Sequence, residues 1–132
     1  MRDIVRGGGC SCGRVRIEAR GAPVRVGLCH CLTCRKETGA PFNAFAVWRT
    51  GDVAVSGETR SWAAQTVRRH FCPECGSAVY ATDVDPGEIE IHLGALDDAP
   101  SDLAPTYELW VVRREPWQKP LPGAAQFRGN RS

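Results

Sequence analysis

Seven cysteines fall in three short stretches, Cys10-Ser11-Cys12, Cys29-His30-Cys31-Leu32-Thr33-Cys34 and Cys72-Pro73-Glu74-Cys75. Thiolates this crowded either coordinate a soft or borderline metal or oxidise, and the spacing decides which. An odd count disfavours a fully paired disulfide framework. Cys72-Pro73-Glu74-Cys75-Gly76 is the clearest local signal. Proline fixes φ early in the turn, glycine follows the second thiol, and the pair forms the knuckle used at zinc sites. Zinc is the expected metal.

Seven ligands divide into four and three. Four thiolates close a tetrahedral zinc site, whereas three leave a position for water or substrate. Two partitions satisfy the spacing. Either Cys10, Cys12, Cys72 and Cys75 make the closed site and Cys29, Cys31 and Cys34 the open one, or the CxxC pairs Cys31/Cys34 and Cys72/Cys75 combine and leave Cys10, Cys12 and Cys29. Residues 35–71 make a gap much longer than the roughly 15–20 residues of a zinc ribbon, which favours the first partition.

At an open site, coordination would lower the pKa of an incoming thiol below its free value of about 8.5, producing a nucleophile at neutral pH. Three thiolates on a divalent cation carry a net negative charge, which weakens it as a Lewis acid. Arg35 and Lys36 could offset that charge and attract substrate carboxylates, or form a solvated basic turn. His30 lies between two ligands, but alternation along an extended segment turns it from the Cys29/Cys31 face, to the surface or behind the ligands. His70 and His92 read as hydrogen-bonded structural residues, the four tryptophans as core or rim.

The elements that must position these groups are short strands. Arg14 to Ala19 alternates polar and apolar residues, and so does Val24 to Leu28, which runs into Cys29. The chain must bend at Cys31, because Cα atoms two apart on a strand lie roughly 6.6 Å from each other, farther than sulfurs on one zinc. A helical turn over Cys34 to Thr38 closes at Gly39. Phe42 to Trp48, Val53 to Ser56, Thr59 to Trp62, Thr66 to Phe71 and Thr106 to Val112 read as strands, with Ala78–Thr82 and Glu88–Leu93 as a hairpin. Gly7-Gly8-Gly9 reads as a flexible lead-in, and residues from Pro116 onward as a surface wrap or frayed end. The expected fold is mainly β, built of twisted antiparallel sheets stapled by metal, in a single domain over residues 1–132.

With 132 residues, 42% hydrophobic and 24% charged, the chain is ordinary for a globular protein. The net charge of +2, with basic and acidic residues interleaved, argues against a nucleic-acid partner. No apolar run is long enough for a membrane span, and Met1-Arg2-Asp3-Ile4-Val5-Arg6-Gly7-Gly8-Gly9 lacks the apolar core of a signal peptide. A cytoplasmic location follows as the expectation, where a reducing pool keeps thiols free for metal.

The arrangement resembles the glutathione-dependent formaldehyde-activating enzymes, a family that includes the domain of centromere protein V. The resemblance runs from about Gly9 to Trp117, leaving 118–132 as a C-terminal tail. It rests on Gly9-Cys10-Ser11-Cys12-Gly13, Cys29-His30-Cys31-Leu32-Thr33-Cys34-Arg35-Lys36, Arg69-His70-Phe71-Cys72-Pro73-Glu74-Cys75-Gly76-Ser77 and Gly94-Ala95-Leu96-Asp97-Asp98. It implies a β "tent", two zinc ions per chain in the first partition, and catalytic Cys29, Cys31 and Cys34. The implied reaction joins glutathione to formaldehyde as S-(hydroxymethyl)glutathione, with a carbon–sulfur lyase reverse, in a monomer or homodimer. The other readings the residues allow are a non-catalytic zinc module that binds a protein and a redox-sensitive metal-handling protein.

Overall fold

The computed structural model describes residues 4–131; the reading of the N-terminal segment as no signal peptide falls partly on Met1-Arg2-Asp3, outside that range. Its strands are β1 (Val5–Gly9), β2 (Arg16–Arg20), β3 (Arg25–Cys29), β4 (Asn43–Arg49), β5 (Val53–Ser56), β6 (Arg60–Ala64), β7 (Val67–Phe71), β8 (Ala78–Thr82), β9 (Glu88–His92), β10 (Tyr107–Leu109) and β11 (Ala125–Gln126). One α-helix, α1 (Leu32–Thr38), follows β3. The mainly β architecture read from the sequence is present.

Two sheets form. β1, β2 and β5 make a three-stranded antiparallel sheet, and the other strands make an eight-stranded one in the order β11-β10-β3-β4-β9-β8-β7-β6. Within the larger sheet every pairing from β3 to β6 is antiparallel, whereas β10 lies parallel to both β3 and β11.

Central β4 is apolar on both faces because both are covered. Ala46 and Trp48 pack with Ile17 and Ala19 of the small sheet and with Ile89 and Ile91. Phe45 and Val47 point the other way, into a cluster with Cys29, Cys34 and Tyr107. Alternation therefore gives the large sheet one face for the main core and one for the cluster that holds Cys29 and Cys34. On the second face, register sets Arg25, Val47, Glu90, Ala81 and Arg69 in one row across five strands.

Two expectations need correction. Gly7-Gly8-Gly9 is not a flexible lead-in but part of β1, paired to β2. A Cβ on Gly8 would sit 2.3 Å from the Ala95 carbonyl oxygen, so glycine there admits a close backbone approach. Of the two alternatives for the C-terminal segment, surface wrap and frayed end, the structure shows the first, since Ala125–Gln126 joins the sheet and Phe127 packs on the second cluster. The last strand candidate is shorter than read, because Trp110 takes a left-handed conformation (φ 56°) and a 3-10 turn follows over Val111–Arg113. No helix of the described residues is long and apolar enough to cross a membrane.

Candidate metal centre and its cavity

Cys10 and Cys12 leave the end of β1, and Cys72 and Cys75 occupy the turn between β7 and β8. Their four Sγ atoms lie within 4.8 Å of one another. Cys10 and Cys12 sulfurs are 3.5 Å apart, Cys12 and Cys72 sulfurs 3.7 Å. Sulfurs at about 2.3 Å from a tetrahedral zinc define edges of about 3.8 Å, so the cluster fits that ion. Backbone N–H groups of Val15 and Glu74 point at Cys10 Sγ and Cys72 Sγ (3.2 and 3.4 Å), the polarity a bound thiolate requires. Gly13 and Gly76 follow the ligand pairs with φ of 84° and 77°, turning the chain there. Ser77 ties the halves together: its hydroxyl lies 3.2 Å from Cys75 Sγ and accepts from the Ser11 N–H at 3.1 Å. The Ser77 hydroxyl and backbone N–H hold the Cys75 thiol down to about 5.

Cys29, Cys31 and Cys34 form the second cluster, also with sulfurs within 4.8 Å of one another. Cys29 ends β3. Cys31 caps α1, its sulfur accepting from the Cys34 N–H at 3.3 Å, so the bend expected at Cys31 is the start of the helix. Gly39, at φ 68°, closes α1 by donating its N–H to the Arg35 carbonyl. Hydrogen bonds from the Cys29 and Cys34 thiols draw Cys31 down to about 2 against its burial. Cys31 and burial push the Cys29 thiol upward, and Cys29 and Cys31 together with burial push Cys34 upward. Negative charge gathers on Cys31, a donor set suited to a cation.

The three thiols line a cavity of about 410 Å³, within the size range of small-molecule sites. Leu32, Phe45, Val67, Leu109 and Trp110 supply apolar wall, Arg69, Glu90 and Arg113 charge. Arg69, buried, places both terminal nitrogens 4.0 Å from Cys34 Sγ and pairs with Glu37. Glu37 continues to His92 Nε2 at 3.1 Å, and His92 Nδ1 to Asn43 Oδ1 at 2.6 Å. Burial opposes ionisation of Glu37, but His92 and Arg69 hold its carboxyl below the usual range. Asn43 is the cross-strand partner of Cys29, so this polar chain begins and ends at the cluster.

The structure thus brings the seven cysteines into the four-and-three sets. It does not bring Arg35 or Lys36 to the cavity wall. The Arg35 guanidinium pairs with Glu115 at 2.7 Å and reaches the Arg113 carbonyl, because α1 turns it toward the C-terminal segment. His30 lies behind the ligands, with no exposure, and its Nε2–H donates to Glu108 Oε1 at 2.8 Å. The sequence reading assigned no site role to Arg69, Glu37, Glu90 or Glu108. The sequence reading took Glu88–Leu93 only as a hairpin arm; alternation sets Glu90 on the same face as His92, where it lines the cavity beside Arg69.

A β fold that gathers four cysteines, two buried and two exposed, into one cluster and opens another of three into a cavity defines a class of cysteine-rich proteins with candidate metal sites. Within it, the family model described as glutathione-dependent formaldehyde-activating enzyme matches residues 5–113. The chain belongs to that family, over a span shifted by four residues at each end from the one read in the sequence. It is 30% identical over 74 residues to a Schizosaccharomyces pombe protein named an uncharacterized lyase, covering 55% of this chain and 54% of that one. The chain therefore matches about half the length of that curated relative. A crystal structure of a Rhodobacter sphaeroides protein superimposes with a TM-score of 0.55 at 25% identity, over 69% of this chain and 87% of that one.

Proposed function

We propose that this chain is a zinc-dependent carbon–sulfur lyase that joins glutathione to formaldehyde, or a related aldehyde, as S-(hydroxymethyl)glutathione, and that it binds two zinc ions. The carrying observation is the difference between the clusters. Cys10, Cys12, Cys72 and Cys75 offer a complete tetrahedral set, whereas Cys29, Cys31 and Cys34 offer three sulfurs and face a cavity. Family membership and the lyase-named relative support the reaction class. Zinc held by the three sulfurs would supply Lewis acidity and favour the thiolate form of an incoming thiol.

The protein's own groups do the rest. Arg69 beside Cys34 offsets the negative charge of the three thiolates, the role first sought in Arg35 and Lys36. Apolar wall from Phe45, Leu109 and Trp110 limits water around a small aldehyde. In the reaction a bond forms from the thiol sulfur to the carbonyl carbon, the carbonyl π pair moves to oxygen, and the thiol proton ends on that oxygen. Nothing is oxidised, and the reverse breaks the same carbon–sulfur bond.

The test measures adduct formation from glutathione and formaldehyde by NMR exchange, alongside zinc content. Wild type should hold two zincs and accelerate the exchange. Cys31→Ser should stay folded with one zinc and lose the acceleration. A Cys31→Ser protein as active as wild type rejects the open site as the seat of reaction. Two zincs with no acceleration in wild type favour a non-catalytic zinc module.

A further inference from the structure

Three charged side chains line the cavity beside the three-cysteine cluster, and they are not equally engaged. Arg69 is committed to Glu37 and Cys34. Glu90 and Arg113 make no side-chain hydrogen bond or ion pair among the described residues. Glu90 stands at the centre of the five-strand row on the face that carries Cys29, between Val47 and Ala81, with Arg69 one strand beyond. It is half-buried in the cavity wall, and burial raises its carboxyl to about 7. Arg113 is exposed, in the 3-10 turn after the left-handed Trp110, and forms part of the wall with Trp110 and Asn130. The Trp110 Nε1–H donates to Asn130 Oδ1 at 3.0 Å, which steadies that part of the wall.

A half-buried carboxyl without a partner carries a desolvation cost that a ligand's ammonium group would offset, and an exposed guanidinium with no partner in the same wall is free to take a carboxylate. We infer that the cavity selects a zwitterionic thiol, with Glu90 receiving its ammonium group and Arg113 a carboxylate, while the thiol end reaches the three-cysteine cluster. The inference rests on the proposed reading in which a thiol is the ligand, and it goes further by assigning the two charges that set which thiol is taken. Neutral thiols of similar length fill neither position.

The experiment uses titration calorimetry on the zinc-loaded full chain with S-methylglutathione, whose capped sulfur cannot add to an aldehyde, and with its N-acetyl derivative, which lacks the ammonium. Wild type should bind the first at least about tenfold more tightly than the second. Glu90→Gln, nearly isosteric, should erase that preference while leaving the N-acetyl affinity unchanged. Arg113→Gln, at an exposed position, should weaken both ligands by about tenfold and keep the preference. A preference that survives Glu90→Gln, affinities untouched by Arg113→Gln, or a wild type that binds neither ligand overturns the assignment. Adduct formation measured on the same preparations separates the two readings. A wild type that makes adduct while the charge effects are missing overturns only the cavity assignment. Charge effects in a wild type that makes no adduct uphold the zwitterion site and overturn the reaction.

Discussion

His30 Nε2 and Glu108 Oε1 are 2.8 Å apart, and neither side chain has any exposure. The pair joins the strand that ends in Cys29 to the strand that leads into the C-terminal segment, and Glu108 extends the connection. Its Oε2 accepts from the Leu121 backbone N–H at 2.8 Å and from Gln126 Nε2 at 2.9 Å. Arg114 stands 3.5 Å from its other oxygen. One carboxylate therefore fastens the residue between two cluster cysteines to the last strand.

The pH dependence of stability should report this carboxylate. Burial alone would raise its pKa, but the hydrogen bonds from Gln126, Leu121 and His30 outweigh it and bring the group to about 2. The folded value is depressed below the ordinary 4.5, so its stabilising contribution is fully present above about 4.5 and is lost as pH falls toward 2. Glu108→Gln should lose a few kcal/mol at neutral pH, the order expected when a buried charged network loses its centre. The variant's stability should also fall less steeply than wild type's between pH 4.5 and 3 in denaturant titrations. Parallel curves for the two proteins would show that Glu108 does not carry the acid sensitivity.

Two glycines on either side of the first cysteine pair should respond differently to alanine. At Gly8 the added Cβ meets the Ala95 carbonyl oxygen at 2.3 Å and Leu96 Cα at 2.9 Å, both backbone, so the contact between β1 and the Ala95–Leu96 segment must open. Gly13 has φ 84° and open space around the site of a Cβ, so only the left-handed conformation is penalised. Gly8→Ala should cost about 2–4 kcal/mol in thermal or chemical unfolding and Gly13→Ala about 1 kcal/mol. Equal losses would mean the close approach at Gly8 relaxes freely.

Ser77 offers a test of the closed cluster that leaves every ligand in place. Its hydroxyl supports Cys75 Sγ and receives the Ser11 N–H, joining the two ligand turns. Removing such an outer partner commonly costs 10–100-fold in metal affinity. Ser77→Ala should release metal to a competing chromophoric chelator about tenfold more readily from the four-cysteine site, with the three-cysteine site unchanged. Equal release from both sites, or none, would assign Ser77 no part in holding the ion.

The sequence made the two cysteine clusters legible because thiol spacing is local chemistry, and the strands around them legible because period-two alternation survives in Arg16–Arg20, Arg25–Cys29 and Glu88–His92. What failed was tertiary. A glycine run has the composition of a linker, and only the approach of Ala95 explains why β1 needs it. The proline-rich C-terminus has no periodicity, yet Glu108 and Tyr107 hold it through contacts 13 to 20 residues away in the chain. Arg35 and Lys36 drew attention by adjacency to Cys34, but one turn of helix points Arg35 to Glu115, while Arg69, 35 residues on, reaches the sulfur.

Two arginine pairs that look alike on paper should therefore differ in energy. Arg35 and Glu115 are 28% and 31% exposed, whereas Arg69 and Glu37 are 9% and 4% exposed. Water screens the first pair and replaces either partner when it is lost, so Arg35→Gln should cost at most about 1 kcal/mol. Arg69→Gln leaves the Glu37 carboxylate with His92 alone in a poorly hydrated site and withdraws the cation beside Cys34, and should cost about 3–5 kcal/mol. The double variant Arg69→Gln with Glu37→Gln should recover part of that loss, since no unpaired charge then stays buried. Urea unfolding of the four proteins, each with its metal bound, gives these differences directly. An Arg69→Gln cost no larger than that of Arg35→Gln would remove Arg69 as the charge that balances the three thiolates.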